Sequence, residues 1–571
     1  MRDAKLGAWG SVRPESRGSR KPEAGSREPG AGSRRSRKPE AGSRRSRKPK
    51  KPEAGSRKPK KPEAAEAESR EPEAEEAGSR KPKKPEAEEA GSRGSRKPEA
   101  GSRISLKGVP EFHSEPYVYL ASLTHKSALI AWGAFYFKTR SDGRSKLVDD
   151  EDLQWVHPPR CDSIGCTSKP YGPARIEVHD ESGATVASAL TSTHNHVAIS
   201  GLLPNTRYTY SVTVKHEIWG AGVRWDWDPQ LQGLAQRDRV YRNEFRTLPD
   251  PVAPLVEPFS FIVIGDFGVG VRKPSTSKKR QLEVADALAR AVDAYDARLI
   301  LTTGDNIYAS RRFLLWTGDS GDEDDDWFFT YFQPYRYVLN RIPVWPSIGN
   351  HDTRETEEHD DREQVMDNMY LRERLAGEEA AGRASVEPGL FYRFRASADI
   401  EFVCVDTSKE DFFRRGRLYE YPKHWDFLEK AFPASDSGRV KWRIPFGHHP
   451  PFSAGPQHHN TRGMENLIAL FHRAGVRAHF SGHEHNFQHS RADGIDYFVS
   501  GAGAKIRRRT PDGFADAHTL SWSGECHFLL VTIDGDRMTV RAIGESPASG
   551  LVDIPRLTPS GELVQGPILV R

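Results

Sequence analysis

The chain has 571 residues, 36% hydrophobic and 29% charged, with a mean hydropathy of −0.70, more polar than one packed body of that length requires. Its formal charge of +5 does not point to nucleic acid, because much of the positive charge lies in an aromatic-free segment interleaved with glutamate. No apolar run approaches the roughly 18 residues of a membrane span, and four cysteines are too few for a disulfide scaffold.

From Arg13 through Arg103 there is no Val, Ile, Leu, Met, Phe, Tyr or Trp, and the word Lys-Pro-Glu-Ala-Gly-Ser-Arg recurs from Lys21, Lys38, Lys51 and Lys97. Such a segment cannot bury enough apolar surface to offset the ~1–2 kcal/mol per residue of backbone entropy lost on ordering. Residues 1–104 are therefore expected to be a disordered tail; a translation start assigned upstream of the true one is the competing explanation. Met1 to Val12 lack the apolar core of a signal peptide. Further on, Cys161 and Cys166 are close enough in sequence to bridge a local loop, whereas Cys404 in Phe402-Val403-Cys404-Val405 reads as a buried small hydrophobe.

Residues 105–250 read as a β-sandwich. Short apolar runs, Tyr117 to Leu120, Ala128 to Trp132 and Val212 to Val214, are separated by turn residues at strand spacing. The word Leu202-Leu203-Pro204-Asn205-Thr206-Arg207-Tyr208 resembles the fibronectin type III signature, which implies a tyrosine corner, Trp132 as core tryptophan and Phe245-Arg246-Thr247 as closing strand. Arg140 to Pro173 reads as an insertion in this domain, whose expected role is support.

After Pro249, strands and helices alternate. The strand Phe261 to Ile264 ends at Gly265-Asp266, and Gln281 to Tyr295 carries Val284, Leu288, Val292 and Tyr295 at helical spacing. Leu299 to Leu301 leads to Gly304-Asp305, Val344 to Ile348 to Gly349-Asn350-His351, and Ala478 to Phe480 to Gly482-His483. Strand, glycine, then a polar side chain is how an α/β sheet delivers ligands to the carboxyl edge of its strands. Glu401 to Val405, Val440 to Phe446 and Tyr497 to Val499 continue the sheet, Phe528 to Ile533 and Met538 to Ile543 form a hairpin through Asp534-Gly535, and the chain from about Glu545 wraps or frays.

The chemistry lies in the words that close these strands: Gly265-Asp266-Phe267-Gly268, Gly304-Asp305-Asn306-Ile307-Tyr308, Gly349-Asn350-His351-Asp352, Gly447-His448-His449-Pro450 and Gly482-His483-Glu484-His485. Each alone is an ordinary turn; their recurrence after apolar runs points to a metal site. Carboxylate, amide and imidazole donors without a cysteine suit Fe, Mn or Zn. In this order the words resemble the purple acid phosphatases within the calcineurin-like metallophosphoesterases, and the catalytic half is most similar to the tartrate-resistant type. The similarity spans most of residues 259–545, including Ser500-Gly501-Ala502-Gly503; Pro445 departs from it, standing where the family usually has Val.

The resemblance implies an α/β fold, a four-layer α/β/β/α sandwich over residues 251–571, preceded by the all-β fibronectin type III-like sandwich and the tail. It implies a dinuclear centre of Fe(III) with Fe(II), Zn(II) or Mn(II). Asp266, Asp305, Tyr308 and His485 would hold one metal, and Asp305, Asn350, His448 and His483 the other. Tyr308 discriminates, since a phenol with a pKa of about 10 ligates only beside a strongly acidic cation such as Fe(III). The implied activity is hydrolysis of phosphate monoesters by a metal-activated hydroxide. His351 would bind the phosphoryl group or leaving oxygen, and His458 or His459 would donate the leaving-group proton.

A phosphodiesterase or nucleotide-cleaving enzyme on the same metals is one alternative, and a scaffold with a vestigial site is another. The expected partner is a small phosphate ester, with no nucleic acid and no membrane span; oligomeric state is open. The resemblance suggests a secreted or periplasmic protein, against the missing signal peptide. The acidic run Asp322 to Asp326, the cluster His359, Asp360 and Asp361, and Lys278-Lys279-Arg280 at a helix start are expected to be solvated surface.

Overall fold

Glu111–Leu123 and Ser127–Thr139 pair antiparallel, from Glu111 opposite Thr139 to Leu123 opposite Ala128, in a computed structural model. That structure describes residues 111–139, 145–147, 172–219, 241–271, 276–308, 327–353, 355–356, 359–387, 389–408, 422–434, 440–546 and 550–570. The N-terminal tail, most of the expected insertion, Cys161, Cys166 and Asp322 to Asp326 lie outside the described residues, as do the side chains of His359, Asp360 and Asp361.

Ser145–Leu147 and His196–Ser200 flank Ser127–Thr139 and complete the first sheet. A second sheet centres on Ala174–His179 and Arg207–Val214, with Thr185–Thr191, Glu217–Trp219 and Glu244–Arg246 at its margins. Along Arg207–Val214 every second residue, Tyr208, Tyr210, Val212 and Val214, is buried, which is the period-two signature of a half-buried strand. These side chains share one core with Val118, Leu120, Ile130 and Trp132 of the first sheet, so the two sheets face each other. The Tyr208 hydroxyl accepts the Leu203 N–H at 2.9 Å, forming the corner the sequence word anticipates.

The opposite face of the first sheet is also covered. Tyr117 stacks on Phe332 with ring centroids 4.6 Å apart, and Phe135 meets the edge of Phe328 at 4.9 Å. Such pairs contribute about 0.5–1.5 kcal/mol each beyond their burial. Phe328 and Phe332 belong to a π-helical turn, Phe328–Phe332, that runs into the helix Gln333–Leu339. Sequence periodicity does not find this element, because its residues are buried on every side and leave no amphipathic stripe. Hydrogen bonds fix the docking: Tyr210 Oη donates to Asn340 O at 2.7 Å, and the buried Arg298 donates to Asn205 Oδ1 at 3.0 Å and to Thr247 O.

The remaining chain builds two mixed sheets. One runs Val344–Pro346, Ala297–Thr302, Phe259–Ile264, Phe528–Asp534, Arg537–Ser546 and Gly550–Asp553, its first three strands parallel. The other has parallel neighbours Ile400–Cys404, Trp442–Phe446, Ala478–Ser481 and Ile495–Ser500 at its centre. Near-continuous apolar runs such as Phe261 to Ile264 and Ile400 to Cys404 belong to parallel strands covered on both faces, and every residue in these two runs except Glu401 is apolar and buried. Phe261 packs edge-on against Phe402 at 5.0 Å and Phe480 at 6.2 Å, joining the sheets through one core. Helix Thr276–Tyr295 packs on the sheet of Phe259–Ile264, and Pro422–Ala431 and Glu465–Arg473 cover an apolar cluster on the sheet of Ile400–Cys404.

Two expectations change. The chain after Glu545 is paired: Gly550–Asp553 and Ile568–Val570 join the sheet of Phe259–Ile264, and Arg556–Leu557 joins the sheet of Ile400–Cys404. Arg280 is half-buried and donates from Nε to Ala504 O at 3.0 Å, so this residue also has a structural contact; the side chains of Lys278 and Lys279 lie outside the described residues. Cys404 is buried as expected. Among the described residues no helix is long and apolar enough to cross a membrane.

Candidate metal centre

The Gly-led words sit at the carboxyl ends of parallel strands from both sheets. Asp266 and Asp305 follow Phe259–Ile264 and Ala297–Thr302, while His448 and His483 follow Trp442–Phe446 and Ala478–Ser481. At Asp266, Asp305 and His483 φ is 56°, 49° and 70°, a left-handed conformation that costs a non-glycine residue about 1–3 kcal/mol. Surrounding bonds impose it: Asp266 N–H donates to Gly304 O at 3.2 Å, His483 N–H to Asp266 Oδ2 at 2.9 Å, and Gly482 N–H to His448 O at 2.8 Å. Gly304 must be glycine, since its φ is 81° and a Cβ would lie 2.7 Å from both Gly349 N and His448 Nδ1.

The side chains converge on one place. Tyr308 Oη donates to Asp266 Oδ1 at 2.9 Å and lies 3.3 Å from His485 Nε2, which is itself 3.3 Å from Asp266 Oδ1. His448 Nε2 lies 3.4 Å from Asp305 Oδ1, 3.0 Å from Asn350 Oδ1 and 3.1 Å from His483 Nδ1. Two groups have donor atoms close enough to hold a metal: Asp266, Asp305 and His485, and His448, His449 and His483. Every residue expected from the sequence as a ligand is thus in this cluster, joined by His449.

The orientation of the imidazoles fits ligation. His448 Nδ1 donates to Thr303 O at 2.7 Å, which leaves Nε2 as the atom facing Asp305 and Asn350. Burial holds His483 and His485 well below the usual histidine range, assisted by His449 at His483 and by Arg507 and Lys505 at His485; burial and His448 lower His449 to about 3. The neutral imidazole is the form that donates to a metal. Burial and the adjacent Asp305 push Asp266 up. At Asp305 burial pushes the same way, but the His448 and His351 rings and the His351 N–H outweigh it and hold the carboxyl at about 2. Burial with Asp266 and Asp305 raises Tyr308, which is therefore the donor in its bond to Asp266. This crowd of inward acceptors and lone pairs is what one or more cations would satisfy.

Asp352 holds the ligand loops in register. Its Oδ2 accepts Gly349 N–H, Asn306 N–H and Asn306 Nδ2–H at 2.9, 3.1 and 2.9 Å, and its Oδ1 accepts Ile307 N–H at 3.0 Å. His351 lies beside the cluster, with its ring centroid 4.6 Å from that of Tyr308 and its N–H on Asp305 Oδ1 at 3.0 Å. The two histidines left open by the sequence separate. The His458 ring lies tilted against His483 with centroids 3.9 Å apart, whereas His459 is 52% exposed and pairs through Nε2 with Asp512 at 2.7 Å. Glu484, Lys505 and Arg507 also belong to the site, without an expected role from the sequence. The buried Glu484 pairs with Arg507 at 2.8 Å and accepts the His458 N–H at 2.7 Å, and Lys505 Nζ lies 3.8 Å from the Tyr308 ring centre. Glu484 was visible between two ligands; the two cations follow Ser500-Gly501-Ala502-Gly503 without any pattern of their own.

Residues 259–487 match the family model for calcineurin-like phosphoesterases. The chain is 26% identical over 331 residues to tartrate-resistant acid phosphatase type 5 of Homo sapiens, covering 53% of this chain and 91% of that protein. It is 28% identical over 264 residues to purple acid phosphatase 17 of Arabidopsis thaliana, covering 44% of this chain and 69% of that protein. The solved structure of PhoD shares the fold over 79% of this chain and 91% of its own, at 13% identity and a TM-score of 0.51. The chain therefore contains a calcineurin-like phosphoesterase domain and is a hydrolase acting on phosphate esters.

Proposed function

We propose that this protein is a metal-dependent acid phosphatase that hydrolyses phosphate monoesters at a dinuclear centre. The observation that carries the reading is the convergence of Asp266, Asp305, Tyr308, Asn350, His448, His483 and His485, donors from two sheets, around the buried Asp305 carboxylate. Asp266, Tyr308 and His485 would hold one cation and Asn350, His448 and His483 the other, with Asp305 available to both. Fe(III) at the Tyr308 side, with Fe(II), Zn(II) or Mn(II) opposite, suits this donor set. When bound, such a pair supplies the acidity that activates a water and the charge that neutralises a phosphoryl group.

The chain's own residues supply the rest. His351 orients the phosphoryl oxygens, and His458, whose backbone is held by Glu484, gives a proton to the leaving oxygen. Asp352 keeps the loops bearing Asp305 and Asn350 together. We read the layering as α/β/β/α and the domain boundaries as 105–250 and 251–571. The sandwich is fibronectin type III-like, a reading supported by the Tyr208 corner, and acts as support.

Rates on an aryl phosphate and a bis-aryl phosphate test the function. The monoester is expected to be the better substrate; a preference for the diester would replace this reading with a phosphodiesterase. Tyr308→Phe should abolish a visible phenolate-to-Fe(III) band in a protein that still folds, and an unchanged band would refute the role of Tyr308.

A further inference from the structure

The segment from Ala504 to Arg509 is fastened to the site and ends in cations that the chemistry above does not use. Ala504 and Lys505 N–H both donate to Asp266 O at 3.2 Å, and Arg507 N–H donates to His485 O at 2.6 Å. From the other side Arg280 Nε donates to Ala504 O at 3.0 Å. Arg507 is matched by the buried Glu484. Arg508 and Arg509 are not held in this way: their side chains are 67% and 73% exposed, and their ion contacts are long, 3.6 Å to Glu525 and 3.5 Å to Asp512. Asp512 is also engaged by His459 at 2.7 Å. Two residues of chain span at most roughly 7 Å, so the backbone of Arg509 stays that close to the anchored Arg507 before its long side chain is counted. Beyond the Arg507–Glu484 pair, Lys505, Arg508 and Arg509 thus place positive charge along one edge of the centre.

We propose that this strap selects phosphate esters bearing a second anionic group, which Arg508 and Arg509 receive while the scissile phosphate occupies the metal centre. The inference rests on the phosphomonoesterase reading and names its substrate class. A guanidinium fork matches a carboxylate or phosphate in two parallel hydrogen bonds. Exposed pairs at 3.5–3.6 Å are weak, so exchanging Glu525 or Asp512 for a substrate anion costs little. An ester with a neutral tail gains nothing from the strap.

The test is calorimetric titration of the metal-loaded protein with phenylphosphonate and 4-carboxyphenylphosphonate, neither of which is hydrolysed. The carboxylated compound is expected to bind roughly 3- to 10-fold more tightly at low salt, with the advantage fading as salt rises. The double variant Arg508→Gln, Arg509→Gln should erase that advantage while leaving phenylphosphonate affinity and 4-nitrophenyl phosphate turnover unchanged. Equal affinities in the unaltered protein, or a preference that survives in the variant, would overturn the proposal. A binding preference in a protein that does not turn over 4-nitrophenyl phosphate would instead count against the phosphatase reading alone.

Discussion

Replacing Asp352 with Asn changes one buried oxygen and tests what holds the two ligand loops together. The carboxylate accepts N–H groups from Gly349, Asn306 (two) and Ile307 at 2.9–3.1 Å, and the residue is fully buried, so water cannot substitute. An amide keeps one acceptor. With its oxygen at the Oδ2 position, its NH2 faces Ile307 N–H and leaves that donor unpaired, a loss of about 1–3 kcal/mol. The other bonds lose their charge assistance, roughly half of each. Opposing this, burial and Asp305 push the Asp352 carboxyl up to about 7, so removing its charge also removes a repulsion. Cations beside Asp305 screen that repulsion. The metal-loaded variant should therefore be destabilised by roughly 2–4 kcal/mol, and the chelated variant by less. Urea unfolding of both proteins, with and without chelator, measures the difference. A loss under about 1 kcal/mol in the loaded protein, or a larger loss in the chelated one, would refute the clamp.

The two open histidines should behave differently. His458→Ala is expected to slow hydrolysis of an alkyl phosphate by about 100-fold or more, and of 4-nitrophenyl phosphate much less, because a good leaving group needs no proton. His459→Ala should change neither rate by more than a few-fold, and equal effects of the two variants would contradict the assignment. His479 is a separate test of acid stability. Burial between Phe471 and Tyr497 lowers it to about 3, so below the ordinary histidine value of 6.5 the unfolded chain takes a proton that the folded one refuses. Stability falls on acidification from 6.5 toward 3 by up to about 1.4 kcal/mol per pH unit. His479→Phe should lose about 2–3 kcal/mol less than the unaltered protein between pH 6.5 and 4.5, read from denaturation at the two values; parallel losses would show that His479 does not titrate this way.

The sequence was most informative where local chemistry and tertiary role coincide. The strand-glycine-ligand words carried Asp266, Asp305, Asn350, His448 and His483, because each closes an apolar run, and at Asp266, Asp305 and His483 the strand end turns into left-handed backbone. Tyr208 was legible for a similar reason, since its corner closes over five residues. What escaped depends on distant contacts. The helical segment Phe328–Leu339 is buried all round and shows no period. Asp352 could be seen in its word, but the N–H groups it gathers from Asn306 and Ile307 come from another strand end. His458 and His459 are adjacent and chemically identical in sequence; only the loop's closure, with Asp512 on one side and His483 on the other, separates them. The late strands after Glu545 looked like an unpaired tail because Pro and Ser dominate the joints and hide the short runs that complete both sheets.

The central claim is that two cations share Asp305. Metal analysis of the purified protein and of its Asp305→Asn variant, each alongside circular dichroism to verify folding, tests it most directly. Two metal ions per chain are expected in the unaltered protein, with depletion of both in the folded variant. A single ion in the unaltered protein, or full occupancy in the variant, would contradict it.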